Sequence, residues 1–105
     1  MSYGYLGTMR AKPGKGGEVV DLLLAGIETE PMPGCELYVV GTDRDDPDLL
    51  RISEVWTTKE AHDESLTLPA VRATIAVVMP LLTGEFTSHE VDVHGGFGLG
   101  QNRVG

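Results

Sequence analysis

The spacing of apolar residues changes repeatedly along the chain, and each change marks an element. Residues 3–12 (YGYLGTMRAK) read as a strand, although Gly4 and Gly7 weaken its alternation. Pro13-Gly14-Lys15-Gly16-Gly17 is a turn. From 18 to 29 the spacing becomes helical. Val19, Val20, Leu23, Leu24 and Ile27 form one stripe, with Glu18, Asp21, Ala25 and Glu28 opposite. Pro31, Pro33 and Gly34 stop that helix. Residues 35–42 and 49–56 return to strand character across an acidic turn, Asp43 to Pro47, which predicts an antiparallel hairpin.

Thr57 and Glu60 have the spacing of a capping box, so a short helix is expected from Lys59 to about Leu66 with Thr57 as its N-cap. Pro69 can open a second helical segment, Ala70 to Met79, which Pro80 ends or bends. Gly84 marks its exit, and residues 85–93 form the last strand. The order β-α-β-β-α-β is the split pattern of a ferredoxin-like α+β fold with an antiparallel sheet. One domain is expected over 1–94. Residues 95–105 form a glycine-rich tail whose apolar anchors are Phe97, Leu99 and Val104, and disorder is the expectation for such a tail.

Alternate residues of a strand point to opposite faces. Leu37 and Val39 oppose Tyr38 and Val40. Leu50, Ile52 and Trp56 oppose Leu49 and Val55. Phe86 opposes Val91 and Val93. Apolar side chains therefore occur on both faces, while the helices of this topology cover one. A bare apolar face is rare on a soluble monomer. A homodimer with the two sheets face to face, a dimeric α+β barrel, resolves the conflict.

Composition narrows the partners. The net charge of −8 repels phosphate backbones and anionic lipid, so neither nucleic acid nor a membrane surface is an expected partner. The single cysteine, Cys35, allows no internal disulfide, and the first residues lack the pattern of a signal peptide, so a cytoplasmic location is expected. His62, His89 and His94 have no metal-ligand spacing, and no metal site is expected. Gly96-Phe97-Gly98-Leu99-Gly100 lacks the spacing of a dinucleotide site. The turn before the first helix leaves room for weak anion binding at its N-terminus.

Glu54 carries the most chemical information. It shares a strand face with Leu50, Ile52 and Trp56, so its carboxylate must be paired, solvated in a cavity or shifted in pKa. A salt bridge to Arg72 or a bond from a backbone amide would pair it. Trp56 is either core or the aromatic wall of a site for a flat ligand. His62, on the short helix, is a candidate general base. Arg72 stands among apolar neighbours and could steady an anionic oxygen. Tyr38 and His89 could line the same cavity.

The segments Gly34-Cys35-Glu36-Leu37-Tyr38, Asp46-Pro47, Glu54-Val55-Trp56-Thr57-Thr58-Lys59-Glu60-Ala61-His62, Leu68-Pro69 and Met79-Pro80-Leu81-Leu82-Thr83-Gly84 together resemble the antibiotic biosynthesis monooxygenase family over roughly residues 3–93. The resemblance implies a ferredoxin-like subunit, a homodimeric barrel and a pocket between sheet and helices. It implies oxidation of a phenolic, quinol or anthrone-like substrate with O₂ and no bound cofactor. Relatives degrade haem using an Asn, a Trp and a His, but the first strand here has no Asn. A histidine stands in many members near the position of Ser65, one turn beyond His62. The implied roles are His62 or Glu54 as base, Tyr38 or Arg72 as anion stabiliser, and Trp56 and His89 as substrate contacts. A non-catalytic small-molecule-binding or structural dimer of the same fold and a haem-binding relative are the alternative functions.

Overall fold

A computed structural model of the chain describes residues 1–99. The elements are β1 (Ser2–Ala11), α1 (Gly16–Ile27), β2 (Cys35–Asp43), β3 (Asp46–Trp56), α2 (Lys59–Ser65), α3 (Pro69–Val78) and β4 (Leu82–Val93). A short 3₁₀ turn, Met79–Leu81, carries α3 into β4. The four strands form one antiparallel sheet in the order β2-β3-β1-β4. This is the ferredoxin-like α+β arrangement expected, with its second helical unit split in two. The split sits at Pro69, which lacks an N–H, and Leu68 before it is extended, as a residue preceding proline prefers. The tail is described only to Leu99; Val104 and the rest of 100–105 lie outside the described residues.

Three local expectations are corrected. The N-cap of α2 is Thr58, not Thr57: its hydroxyl accepts from the Ala61 N–H at 3.0 Å. Thr57 instead donates its N–H to the Gly34 carbonyl at 2.8 Å, just past the ends of β3 and β2. Glu60 then falls in the first helical turn, where the dipole favours it, rather than closing a capping box. The acidic turn shrinks to Arg44 and Asp45, because β2 runs to Asp43 and β3 starts at Asp46. Gly84 lies inside β4, with φ of +94°, where β4 bulges against β1 between Met9 and Ala11.

Distant carboxylates serve two helix N-termini. Asp48 accepts from the N–H groups of Gly14 and Gly16 at 3.0 and 2.9 Å. Glu30 accepts from the Ala70 N–H at 3.1 Å. The anion seat before α1 is thus filled by the chain's own carboxylate. Gly16 is required there, since a Cβ would lie 1.9 Å from the Pro47 carbonyl oxygen. Asp48→Ala is expected to lower stability by about 1–3 kcal/mol in urea unfolding, because it strands the buried Gly16 N–H.

The core lies between the helices and one sheet face: Ala11, Val19, Leu23, Leu50, Ile52, Val78 and Leu82. The opposite face presents Leu6, Val39 and Val91 at 41%, 48% and 38% exposure. Among the described residues no single helix is long and apolar enough to cross a membrane.

Candidate functional site

The covered sheet face and the helices enclose a cavity of about 300 Å³. Its walls are largely apolar, with Met9, Met32, Val78 and Phe86 among them. Polar side chains line it from four elements: Tyr38 on β2, Glu54 and Trp56 on β3, His62 and Ser65 on α2, and Thr74 on α3. The strand register explains the first group. Tyr5, Glu54 and Tyr38 are cross-strand partners on adjacent strands, and Tyr3 pairs with Trp56 one step further on. Helix α2 starts at Lys59, separated from the end of β3 by Thr57 and Thr58, and its first turn returns His62 to the end of that row.

His62 is 9% exposed and packed among aromatic rings. Tyr5 stacks on it at 5.0 Å between centroids and 21° between planes. Tyr3 lies at 5.4 Å and Trp56 meets it edge-on at 5.8 Å. Nδ1 of His62 is 2.9 Å from Oδ1 of Asp63. Lys59 binds Asp63 at 3.1 Å and stands 3.8 Å from Glu90 on β4. The Tyr3 hydroxyl donates to Glu90 at 2.8 Å. One turn beyond His62, Ser65 donates to the His62 carbonyl at 2.5 Å.

Glu54 is partly buried, and its Oε1 accepts the Trp56 indole N–H at 2.9 Å. These residues are two apart on one strand, so both project to the same face. Burial pushes the Glu54 carboxyl up; the indole bond and the charge of His62 pull it back only in part. Burial, then the nearby Glu54 charge, pushes the Tyr38 phenol up as well, so Tyr38 stays a neutral hydrogen-bond donor.

The cavity therefore gathers Tyr38, Glu54, Trp56 and His62. It does not gather the other two expected substrate contacts. Arg72 is exposed on α3 and absent from the cavity wall, so the expected Glu54–Arg72 pair is replaced by the indole bond. His89 is exposed on β4 opposite Leu6, on the far face of the sheet. Among the described residues, no three His, Cys, Asp or Glu side chains converge in a metal-ligand cluster. Sequence reading missed Tyr3, Tyr5 and Asp63. The two tyrosines had a signal, since alternation in β1 places both on one face.

The state of Glu54 has a stability consequence. A carboxyl whose folded pKa is raised stabilises the fold fully below its ordinary value of 4.5 and loses that contribution as pH rises through the raised value. Asp43, Asp46 and Asp63 are held low by their partners and act in the opposite sense, losing their contribution as pH falls below 3.8. Glu54→Gln is expected to flatten the decline in urea midpoint as pH rises above 4.5 while leaving the acid limb intact. An unchanged slope would place Glu54 in a solvated setting.

Residues 3–77 match the family model for antibiotic biosynthesis monooxygenases. No curated protein matches the chain. Among solved structures, a provisionally named antibiotic biosynthesis monooxygenase from Chloroflexus aurantiacus J-10-fl is 42% identical, with 95% of this chain and 100% of that chain covered and a TM-score of 0.85. One from Nitrosomonas europaea, also provisionally named, is 13% identical, with coverage of 89% and 90% and a TM-score of 0.82. A conserved protein from Methanosarcina mazei Go1 is 21% identical, with coverage of 87% and 91% and a TM-score of 0.76. The last two show the shared fold alone. The family match over residues 3–77, with the Chloroflexus relative matched over its full length, establishes that the chain belongs to the antibiotic biosynthesis monooxygenase family.

Proposed function

We propose that this protein is a homodimeric monooxygenase that oxidises a flat phenolic, quinol or anthrone-like substrate with O₂ and needs no bound cofactor. The observation that carries this reading is the buried imidazole of His62, which lines an apolar cavity and has Asp63 on its Nδ1. A cavity of about 300 Å³ sits at the lower end of the range for small-molecule sites and suits a small aromatic guest. Trp56 supplies a wall for a ring, and Tyr38 a donor for its oxygen.

The chemistry follows from a reactive CH₂ or phenol that becomes electron-rich when it loses a proton. His62 takes that proton, with Glu54 as the second candidate. The substrate anion passes an electron to O₂, and the radical pair closes a C–O bond to give a hydroperoxide anion. Return of the proton gives the hydroperoxide. Loss of water, with the second C–H proton leaving, gives the ketone. The sum is R₂CH₂ + O₂ → R₂C=O + H₂O. The substrate performs the electron chemistry usually left to a cofactor. The apolar wall excludes the water that would protonate the anion. Oxygen uptake across a panel of hydroquinones and anthrone-like phenols, with chelator present, is expected to show one O₂ consumed per substrate. A thermal shift with a panel member but no uptake would instead favour a non-catalytic binding dimer.

The dimer rests on the open sheet face. Leu6, Val39 and Val91 remain exposed there, and a second copy of the same face would cover them. Val39→Asp is expected to convert a dimer in sedimentation equilibrium to a folded monomer; a wild-type chain that sediments as a monomer would remove this part of the reading. A lone thiol at Cys35 suits a reducing cytoplasm.

A further inference from the structure

We infer that Asp63 is a positioning residue: its carboxylate fixes His62 as the Nδ1–H tautomer and leaves the lone pair on Nε2, with Lys59 holding Asp63 in place. This deepens the role proposed for His62 and rests on it for its functional meaning. The tautomer itself can be measured without turnover.

Adjacent helix residues do not face each other, so a His62–Asp63 bond is not a default of the helix. Lys59 accounts for it. Lys59 and Asp63 are four apart on one helix face, and Nζ reaches both Asp63 and, less closely, Glu90 of β4. Glu90 is itself engaged by the Tyr3 hydroxyl. The Asp63 carboxylate is drawn toward the strand edge, where the His62 ring lies. The hydrogen bond from His62, then the one from Lys59, keeps Asp63 well below the ordinary aspartate value. An ionised carboxylate only accepts hydrogen bonds, so Nδ1 must donate. A neutral imidazole has one proton, and Nε2 is then the nitrogen able to accept another.

The ring is also held against reorientation. The His62 side chain is 11% exposed, against 53% for Asp63. Rotating the ring to carry Nδ1 away from Asp63 would break the Tyr5 stack and the Trp56 edge contact on the way. The other ionisable groups around it are accounted for. Glu54 on β3 is bonded to the Trp56 indole, Tyr3 on β1 to Glu90, and Tyr5 on β1 contributes its ring face. Asp63 thus joins a buried base to solvent, and through Lys59 joins α2 to β4.

The test is nitrogen NMR of the histidine rings in the ¹⁵N-labelled full chain, at a pH where imidazole is neutral, with His62→Gln identifying the signal. The wild-type protein is expected to show a protonated Nδ1 and a bare Nε2. In Asp63→Asn the Lys59 ammonium can only donate and so takes the amide oxygen, which leaves the amide N–H for Nδ1, and the proton is expected to move to Nε2. Oxygen uptake should then fall by about 10²-fold or more with little change in KM. A wild-type ring protonated on Nε2 overturns the inference, and needs no variant to fold. An unchanged tautomer in a folded Asp63→Asn protein also overturns it. A tautomer that moves while uptake stays at the wild-type level upholds the positioning by Asp63 and removes His62 as the base.

Discussion

His62→Gln is expected to reduce oxygen uptake by about 10²- to 10⁴-fold, the range that a positioned general base contributes. Glutamine keeps a polar side chain of similar reach and cannot exchange a proton near neutral pH. The loss should fall on kcat, because the apolar wall and Trp56 still bind the ring. A parallel rise in KM would place His62 in binding instead. The variant remains interpretable if it melts cooperatively near the wild-type temperature. The same assay separates the two candidate bases. Glu54→Gln should cost less, since its carboxyl already holds the Trp56 indole. Full turnover in both His62→Ala and Glu54→Ala would reject the assignment.

Trp56→Ala is expected to produce the largest loss of stability, about 3–5 kcal/mol in urea unfolding. The indole is 1% exposed, the chain's one tryptophan, and joins β3 to His62 and Glu54. Truncation opens a cavity and leaves a partly buried carboxyl without its donor. Trp56→Phe separates these effects. It keeps most of the packing and removes the N–H, so about 1–3 kcal/mol is expected. The Glu54 carboxyl should then titrate higher still, since a bond that favours its ionised form is gone. A Phe variant as damaged as the Ala variant would mean that the indole N–H, rather than ring packing, dominates.

These residues also show how much the sequence could reveal. The strand period put Glu54 and Trp56 on one face, because side-chain direction in a strand is local; it is the β2–β3 register that brings Tyr38 beside Glu54. The period also showed an apolar second face, and the exposed Leu6 and Val39 bear that out. Helix positions followed from spacing, proline and glycine. What failed was long-range or one residue in register. Thr57 and Thr58 both have hydroxyls, and the bond from the Thr57 N–H to the Gly34 carbonyl, made only in the fold, leaves Thr58 to cap. The bonds from Asp48 and Glu30 to helix N-termini span the fold, and neighbouring residues give no sign of them. Arg72 looked suited to Glu54 from composition, but a helix position does not state its distance from a strand. His89 was separable in principle, since its parity in β4 is that of Val91 and Val93 rather than Phe86. Asp63 was not, because adjacent helix residues normally splay apart.

The central claim is that the cavity takes up a flat phenol and that His62 removes its proton before O₂ reacts. It is tested most directly without O₂. Anthrone-like phenols are titrated into the anaerobic protein, with Trp56 fluorescence reporting binding and absorbance reporting the substrate anion. Quenching of Trp56 together with the anion spectrum is expected in the wild-type protein, and quenching without the anion in His62→Gln. Bound substrate that stays neutral in the wild-type protein, or an anion that forms equally well without His62, would contradict it.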